Sequence, residues 1–401
     1  MLDGYFAFVL VDGDQVFAAR DTIGVRSLYI GYRGKSTYLA SELKAIHELC
    51  DTVEQFPPGC WWDGKVFHKY HTLYEREVIR QSQPEAISEV RGLLTEAVRK
   101  RVTTTERPIG CLLSGGLDSS IICALVCQQS KEPVHTFSIG FEGSTDCHYA
   151  RKVASHLNTI HHEVIVTRQQ MLDAIPEVIR MIESYDTTTV RASTPMYLLC
   201  KYIAEKTDIK VVFSGEGSDE LSGSYLYFHN APDEKSFRDE TIRLVQDLSY
   251  FDVLRCDKST ACNGLEVRVP FLDTSFLYYY LHLDPVMKLP KTYGIEKYIL
   301  RKAFEDLLPQ EVVWRVKEAF SDGVSSVENS WFSIIQRHVD GLCLPSPKSE
   351  YLPPVMRETQ WYRSVYDSVY PRRERLLPYY WLPRWVGEVV DPSARVLSVY
   401  R

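Results

Sequence analysis

The run Pro108-Ile109-Gly110-Cys111-Leu112-Leu113-Ser114-Gly115-Gly116-Leu117-Asp118-Ser119-Ser120 joins an apolar strand to a helix through two glycines. Few folds can use such a join. Glycines let the backbone approach an oxyanion closely, and the free N–H groups of the following helix point at it. A helix terminus stabilises an anion by only about 0.3–1 kcal/mol at an exposed site, up to ~2 when partly buried. A polyphosphate therefore needs hydroxyls and a metal as well. Ser114, Ser119 and Ser120 offer the hydroxyls, and Asp118 the hard oxygen that magnesium prefers. The lysine of a Walker loop is missing here.

The strand before this loop has companions. Ile109–Leu113, Val134–Ile139, Glu163–Val166 and Ile209–Phe213 are short apolar runs, most of them separated by helix-length segments. That alternation predicts an α/β fold with a parallel sheet covered on both faces. Residues 81–106 read as a polar linker and an amphipathic helix with Val90, Leu93, Leu94, Ala97 and Val98 on one side. The chain from Lys235 onward reads mainly helical. The first eighty residues differ. Tyr5–Val11, Gln15–Arg20, Ser27–Tyr32 and Thr37–Ala40 are aromatic-rich strands punctuated by glycine, Ser41–Leu49 reads as a helix, and a further hairpin turns at Asp63-Gly64.

Composition narrows the function classes. With 46 Lys+Arg against 53 Asp+Glu the net charge is −7, which disfavours a broad nucleic-acid-binding surface. No apolar run approaches the roughly 18 residues of a membrane span, and no secretory leader is read at Met1-Leu2-Asp3-Gly4. The ten cysteines form no CxxC pair and the eleven histidines show no zinc spacing, so reduced buried thiols and no Cys/His metal site are expected.

Other segments converge on the glycine loop. Ser214-Gly215-Glu216-Gly217-Ser218-Asp219-Glu220 ends another strand, and Ile139-Gly140 ends a third. Ligands of open parallel sheets sit outside the carboxyl ends of strands, so these pieces should share one crevice. The heptapeptide Ser114–Ser120 resembles the signature of the pyrophosphate-loop (PP-loop) ATP pyrophosphatases. Together with Tyr185–Ser193, Gly264–Asp273, Trp314–Gly323 and Asp391–Arg395, it makes nearly the whole chain similar to the glutamine-dependent asparagine synthetases. The resemblance implies a PP-loop domain over 76–401 preceded by the β-rich remnant, 1–75, of an Ntn-hydrolase glutaminase domain. It also implies ATP-dependent amidation of aspartate through β-aspartyl-AMP, releasing AMP and pyrophosphate.

Carried over residue by residue, the resemblance puts Leu113 and Ile139 at the adenine. Ser114, Gly115, Gly116, Asp118 and Ser119 fall at the pyrophosphate, and Ser214 and Gly215 at the ribose and α-phosphate. Asp118 and Asp219 would carry Mg²⁺. Lys317 would close over phosphates, and Glu216 would help form the intermediate and accept the ammonia proton. Arg191 and Thr188 suit the aspartate carboxylate or the α-phosphate, with a structural ion pair as the other reading of Arg191. Glu266 and Arg268 read as a buried structural pair near the site. The implied partners are aspartate, ATP and ammonia, without nucleic acid or membrane, in the cytoplasm, with a homodimer left open.

One departure stands out. The family's glutaminase nucleophile is an N-terminal cysteine, whereas Met1 is followed here by Leu2, and Cys50 and Cys60 lie outside that motif. Ammonia is therefore the expected nitrogen donor, and the strand Tyr5–Val11 is expected to be exposed. The competing expectations are an enzyme resembling β-lactam synthetase, which uses an internal amine, and a non-catalytic paralogue. The intact Thr188–Ser193 and Lys317–Gly323 segments speak against the first, and Asp118, Asp219 and Lys317 against the second.

Overall fold

The computed structural model describes residues 2–325, 330–347 and 349–393. Met1, Ala394 and Arg395 lie outside the described residues. The strands are β1 (Ala7–Asp12), β2 (Gln15–Arg20), β3 (Tyr29–Arg33), β4 (Ser36–Ala40), β5 (Thr52–Gln55), β6 (Cys60–Trp62), β7 (Phe67–Lys69), β8 (Ile109–Leu112), β9 (His135–Gly140), β10 (Ile160–Ile165), β11 (Val211–Phe213) and β12 (Glu266–Arg268).

The first seven strands form two antiparallel sheets, ordered β1-β2-β6-β7 and β4-β3-β5. Between them Ala18, Leu28, Ile30, Phe56 and Trp62 make a small core. Of the strand Tyr5–Val11, expected to be exposed, only the side chains of Val9, Leu10 and Val11 are, while those of Tyr5, Phe6, Ala7 and Phe8 are half-buried. The helix expected over Ser41–Leu49 is only a 3₁₀ turn at Leu43–Ala45. Beyond that turn the backbone bonding is irregular, His47 N–H reaching the carbonyl of Leu43 and Leu49 N–H that of Ile46, and the Arg373 guanidinium donates to the carbonyls of His47, Cys50 and Asp51 where the segment ends.

The helices are α1 (Gln83–Val102), α2 (Leu117–Gln129), α3 (Thr145–Leu157), α4 (Arg168–Ile182), α5 (Thr187–Lys206), α6 (Ser218–Ser222), α7 (Glu234–Asp247), α8 (Asp252–Ala261), α9 (Thr274–His282), α10 (Pro290–Tyr293), α11 (Tyr298–Phe304), α12 (Gln310–Val313), α13 (Phe320–Gly323), α14 (Trp331–Asp340) and α15 (Arg357–Val369). On α1 the side chains of Val90, Leu94, Ala97 and Val98 are buried, and Ser82 and Glu85 cap its start reciprocally.

The main sheet is parallel throughout, in the order β10-β9-β8-β11-β12. The chain winds outward from β8 through β9 to β10, then crosses to β11 and on to β12. The direction of winding thus reverses between β8 and β11, which is where an open parallel sheet leaves a crevice at its carboxyl edge. β12, Glu-Val-Arg, lies in the part from Lys235 onward that the sequence reads as mainly helical. It joins the sheet because Val267 is buried, while Arg268 donates to Glu266 at 2.8 Å and to the carbonyl of Arg101.

The β-rich layers do not stand apart from the helical part. Ile23, Val25, Tyr29, Leu43 and Val53 belong to the same core as the main sheet. Polar links cross the seam: Tyr5 donates to the carbonyl of Val269 at 2.6 Å, and Arg26 pairs with Asp257 at 2.6 Å. Lys258, buried, pairs with Glu183 at 2.7 Å and with Glu42 at 2.8 Å. Among the described residues, no helix is long and apolar enough to cross a membrane.

Candidate active site

A cleft of about 180 Å³ opens at the carboxyl ends of β8, β9 and β11. Its glycine loop is shaped by sterics. Gly115 has φ +71°, and a Cβ there would fall 2.4 Å from the backbone nitrogen of Ala150. Gly215 abuts the same loop from β11, where a Cβ would lie 2.8 Å from the nitrogen of Ser119. The two strand ends are in backbone contact, and only glycine permits it. Within the loop the hydroxyls of Ser114 and Ser119 lie 3.1 Å apart, and Ser120 donates to the carbonyl of Gly116 at 2.7 Å. α2 starts beyond Gly116 and aims its free N–H groups into the cleft.

Leu113 and Ile139, both buried, line an apolar side of the cleft with Leu112, Phe137 and Leu199. The opposite side is charged. Asp118 on α2 and Asp219 on α6 face each other across the β8–β11 switch point. The ammonium of Lys297 stands between them, 2.5 Å from Asp118 Oδ2 and 2.6 Å from Asp219 Oδ1. Lys317 pairs with the other oxygen of Asp219 at 2.6 Å. Ser218 donates to Asp118 at 2.8 Å and Ser224 to Asp219 at 2.6 Å. Burial alone would raise the Asp219 carboxyl, but the two ammoniums hold it well below the usual carboxylate range. Burial would likewise lower Lys317, yet Asp219 and Asp118 raise it and keep it charged.

Deeper in the cleft, Glu216 accepts from Arg255 at 2.6 Å, and Arg255 also pairs with Asp252 at 3.0 Å. Thr188 lines the same cleft and its buried hydroxyl has no partner. On the loop side, Arg315 bonds the carbonyl of Gly115 at 3.3 Å and the carboxylate of Asp146 at 3.1 Å. Burial pushes the Asp146 carboxyl up to about 7, against the pull of Arg315. Gly323 closes this corner, since a Cβ there would strike Asp146 at 2.4 Å.

The structure thus gathers Leu113, Ser114, Gly116, Asp118, Ser119, Ile139, Thr188, Ser214, Gly215, Glu216, Asp219 and Lys317 along one cleft, with Gly115 in its glycine loop. Arg191 is the correction. Its guanidinium is buried between Glu358, at 2.5 and 2.8 Å, and Asp391, at 2.8 and 2.9 Å. Two carboxylates engage four of its five N–H donors, the geometry of the structural ion pair, and it lies outside this cleft, lining a smaller adjoining pocket that shares Thr188 and Tyr225 with it. Glu266 and Arg268 are paired as expected, but the Glu266 side chain is exposed and neither residue lines the cleft. Lys297, Arg255 and Asp146 escaped the sequence reading, because none stands in a spacing that signals chemistry. Lys297 has one backbone mark, a left-handed φ of +60° ahead of α11.

A family model described as asparagine synthase matches residues 89–243 and 230–375, and one described as a glutamine amidotransferase domain matches 1–48. The asparagine synthetase [glutamine-hydrolyzing] of Gallus gallus is 46% identical over 445 aligned residues, spanning 100% of this chain and 79% of that protein. The Homo sapiens protein of the same description is 44% identical over the same shares. Among solved structures, an NMN synthetase from Francisella tularensis is similar at 12% identity and a TM-score of 0.32, covering 76% of this chain and 100% of that one.

Proposed function

The chain belongs to the asparagine synthase family and is a ligase that makes asparagine with ATP; from that premise we propose how its residues divide the reaction. ATP lies with its base against Leu113 and Ile139, its polyphosphate on the loop 114–119 at the start of α2, and its ribose and α-phosphate beside Ser214 and Gly215. Aspartate enters the inner end, where the hydroxyl of Thr188 and the guanidinium of Arg255 are the donors for a carboxylate. These take the place expected of Arg191.

A β-carboxylate oxygen of aspartate then attacks the α-phosphorus. The new bond is O–P, the bond broken is that to the bridging oxygen, and pyrophosphate leaves. Ammonia attacks the acyl carbon of the β-aspartyl-AMP so formed, AMP departs, and Glu216 takes the surplus proton. Lys317 faces the growing charge on pyrophosphate, a role in which a preorganised cation lowers the barrier most.

The acidic pair fits a magnesium ion. Two hard-oxygen carboxylates on adjacent strand ends already converge on a single cation, the Lys297 ammonium. Among the described residues no third His, Cys, Asp or Glu joins them, as suits an ion that completes its shell with phosphate and water. Held by Asp118 and Asp219, magnesium would supply charge neutralisation at phosphate oxygens.

The observation that carries this reading is the convergence of Asp118 and Asp219 beside the glycine loop at the switch point. Incubation with aspartate, MgATP and an ammonium salt should yield asparagine, AMP and pyrophosphate in equal amounts. Formation of ADP and phosphate would refute it.

A further inference from the structure

The cation position between Asp118 and Asp219 is filled by the protein itself. Lys297 Nζ is 2.5 Å from one carboxylate and 2.6 Å from the other, and its side chain is 2% exposed. It is delivered there by an uncommon backbone. Lys297 has φ +60° and ψ +26°, a left-handed conformation that residues with a Cβ avoid. Its neighbour Glu296 holds that turn in place, accepting from Arg301 on α11 and from the backbone N–H of Lys317 at 2.9 Å. The turn therefore positions both lysines that face Asp219.

We propose that Lys297 is a placeholder cation: it occupies the metal position of the carboxylate pair and yields it only to a metal that arrives already bound to nucleotide. The proposal rests on the assignment of Asp118 and Asp219 as metal ligands. Charge balance supplies the reason. Two carboxylates and two ammoniums sum to zero. A free divalent ion would have to expel one ammonium from its carboxylates without bringing an anion to receive it, and would face the second across Asp219. A metal–nucleotide complex brings phosphate oxygens with it. The displaced ammonium then exchanges a carboxylate for a phosphate and stays paired. The lysine thus couples metal entry to nucleotide entry and keeps the acidic pair together beforehand.

Mn²⁺ uptake by the full chain, followed by loss of the free-ion electron paramagnetic resonance signal, tests this without turnover. Wild-type protein should take up Mn²⁺ only when ATP is added. Lys297→Met and Lys297→Gln should take up one Mn²⁺ without nucleotide, at least tenfold more tightly than wild type, and Asp118→Asn in the same background should abolish that uptake. Lys297→Arg, which keeps the charge, and Lys317→Met, which keeps the bridging ammonium, should both remain nucleotide-dependent. Circular dichroism identifies which neutral variant is folded.

Uptake of Mn²⁺ by wild-type protein without ATP, sensitive to Asp118→Asn, would overturn the placeholder role, and this arm needs no variant of Lys297. Folded Lys297 variants that bind no better than wild type would overturn it too. Mn²⁺–ATP uptake indifferent to both Asp118→Asn and Asp219→Asn would instead overturn the metal assignment beneath it.

Discussion

Arg255 donates to Glu216 at 2.6 Å, yet the Glu216 carboxyl is pushed up to about 7. Burial is the first cause; Arg255 opposes it, and Asp252 and Asp219 add to the rise. A carboxyl with this poise can accept a proton near neutrality. Amidation, expressed per free ammonia, should therefore rise with pH through about 7. Glu216→Gln should lower the rate on the order of 10²-fold and flatten that limb. A limb unchanged in Glu216→Gln would assign it to another group. For stability the sign is opposite: a carboxyl raised from 4.5 to about 7 favours the neutral form in the fold, so this contribution is lost as pH climbs between those values.

Arg191 predicts a loss of stability where the sequence suggested substrate binding. Arg191→Met would leave Glu358 and Asp391 buried without their cation, and removing one partner of such a cluster costs about 3–5 kcal/mol. Urea unfolding should show a fall of that order. A variant with wild-type stability and a raised KM for aspartate would return Arg191 to the substrate site.

How far the sequence could be read depended on whether a feature is local. The glycine loop, the Ser214–Glu220 turn and the strands before them are contiguous, so their chemistry and their place at one sheet edge follow from spacing and burial. Arg191 is different. Its partners lie 167 and 200 residues downstream, and nothing within Tyr185–Ser193 tells a carboxylate of the protein from one of a substrate. Lys297 was hidden for a related reason, since its function comes from a turn held by Glu296 and from two acids far earlier in the chain.

Asp219 links acid sensitivity to catalysis. Its carboxyl is held below the ordinary 3.8 by Lys297 and Lys317 despite burial. The resulting stability is present above that value and drains away as pH falls below it. Asp219→Asn should unfold more easily at neutral pH and lose part of the wild-type acid dependence. Its amidation rate should fall at least about tenfold, because a correctly held metal contributes several kcal/mol at a phosphoryl centre. Near-normal turnover in Asp219→Asn would refute the role.

The nitrogen donor is the last expectation. Glutamine hydrolysis by a thiol needs a thiolate, a base and donors for the oxyanion. In the β-rich layers the cysteines are Cys50 and Cys60, and burial raises both thiols above their usual range. Among the described residues lining the cleft, none is a cysteine. A thiol made less acidic by burial is a poor nucleophile near neutral pH. Protein with an N-terminus verified by mass spectrometry should therefore release glutamate from glutamine only at background, measured without ATP. Asparagine synthesis from ammonium should persist in the same preparation, which separates a lack of glutamine hydrolysis from a misfolded chain. Glutamine turnover above background would overturn this expectation, and its loss in Cys50→Ala or Cys60→Ala would identify the thiol responsible.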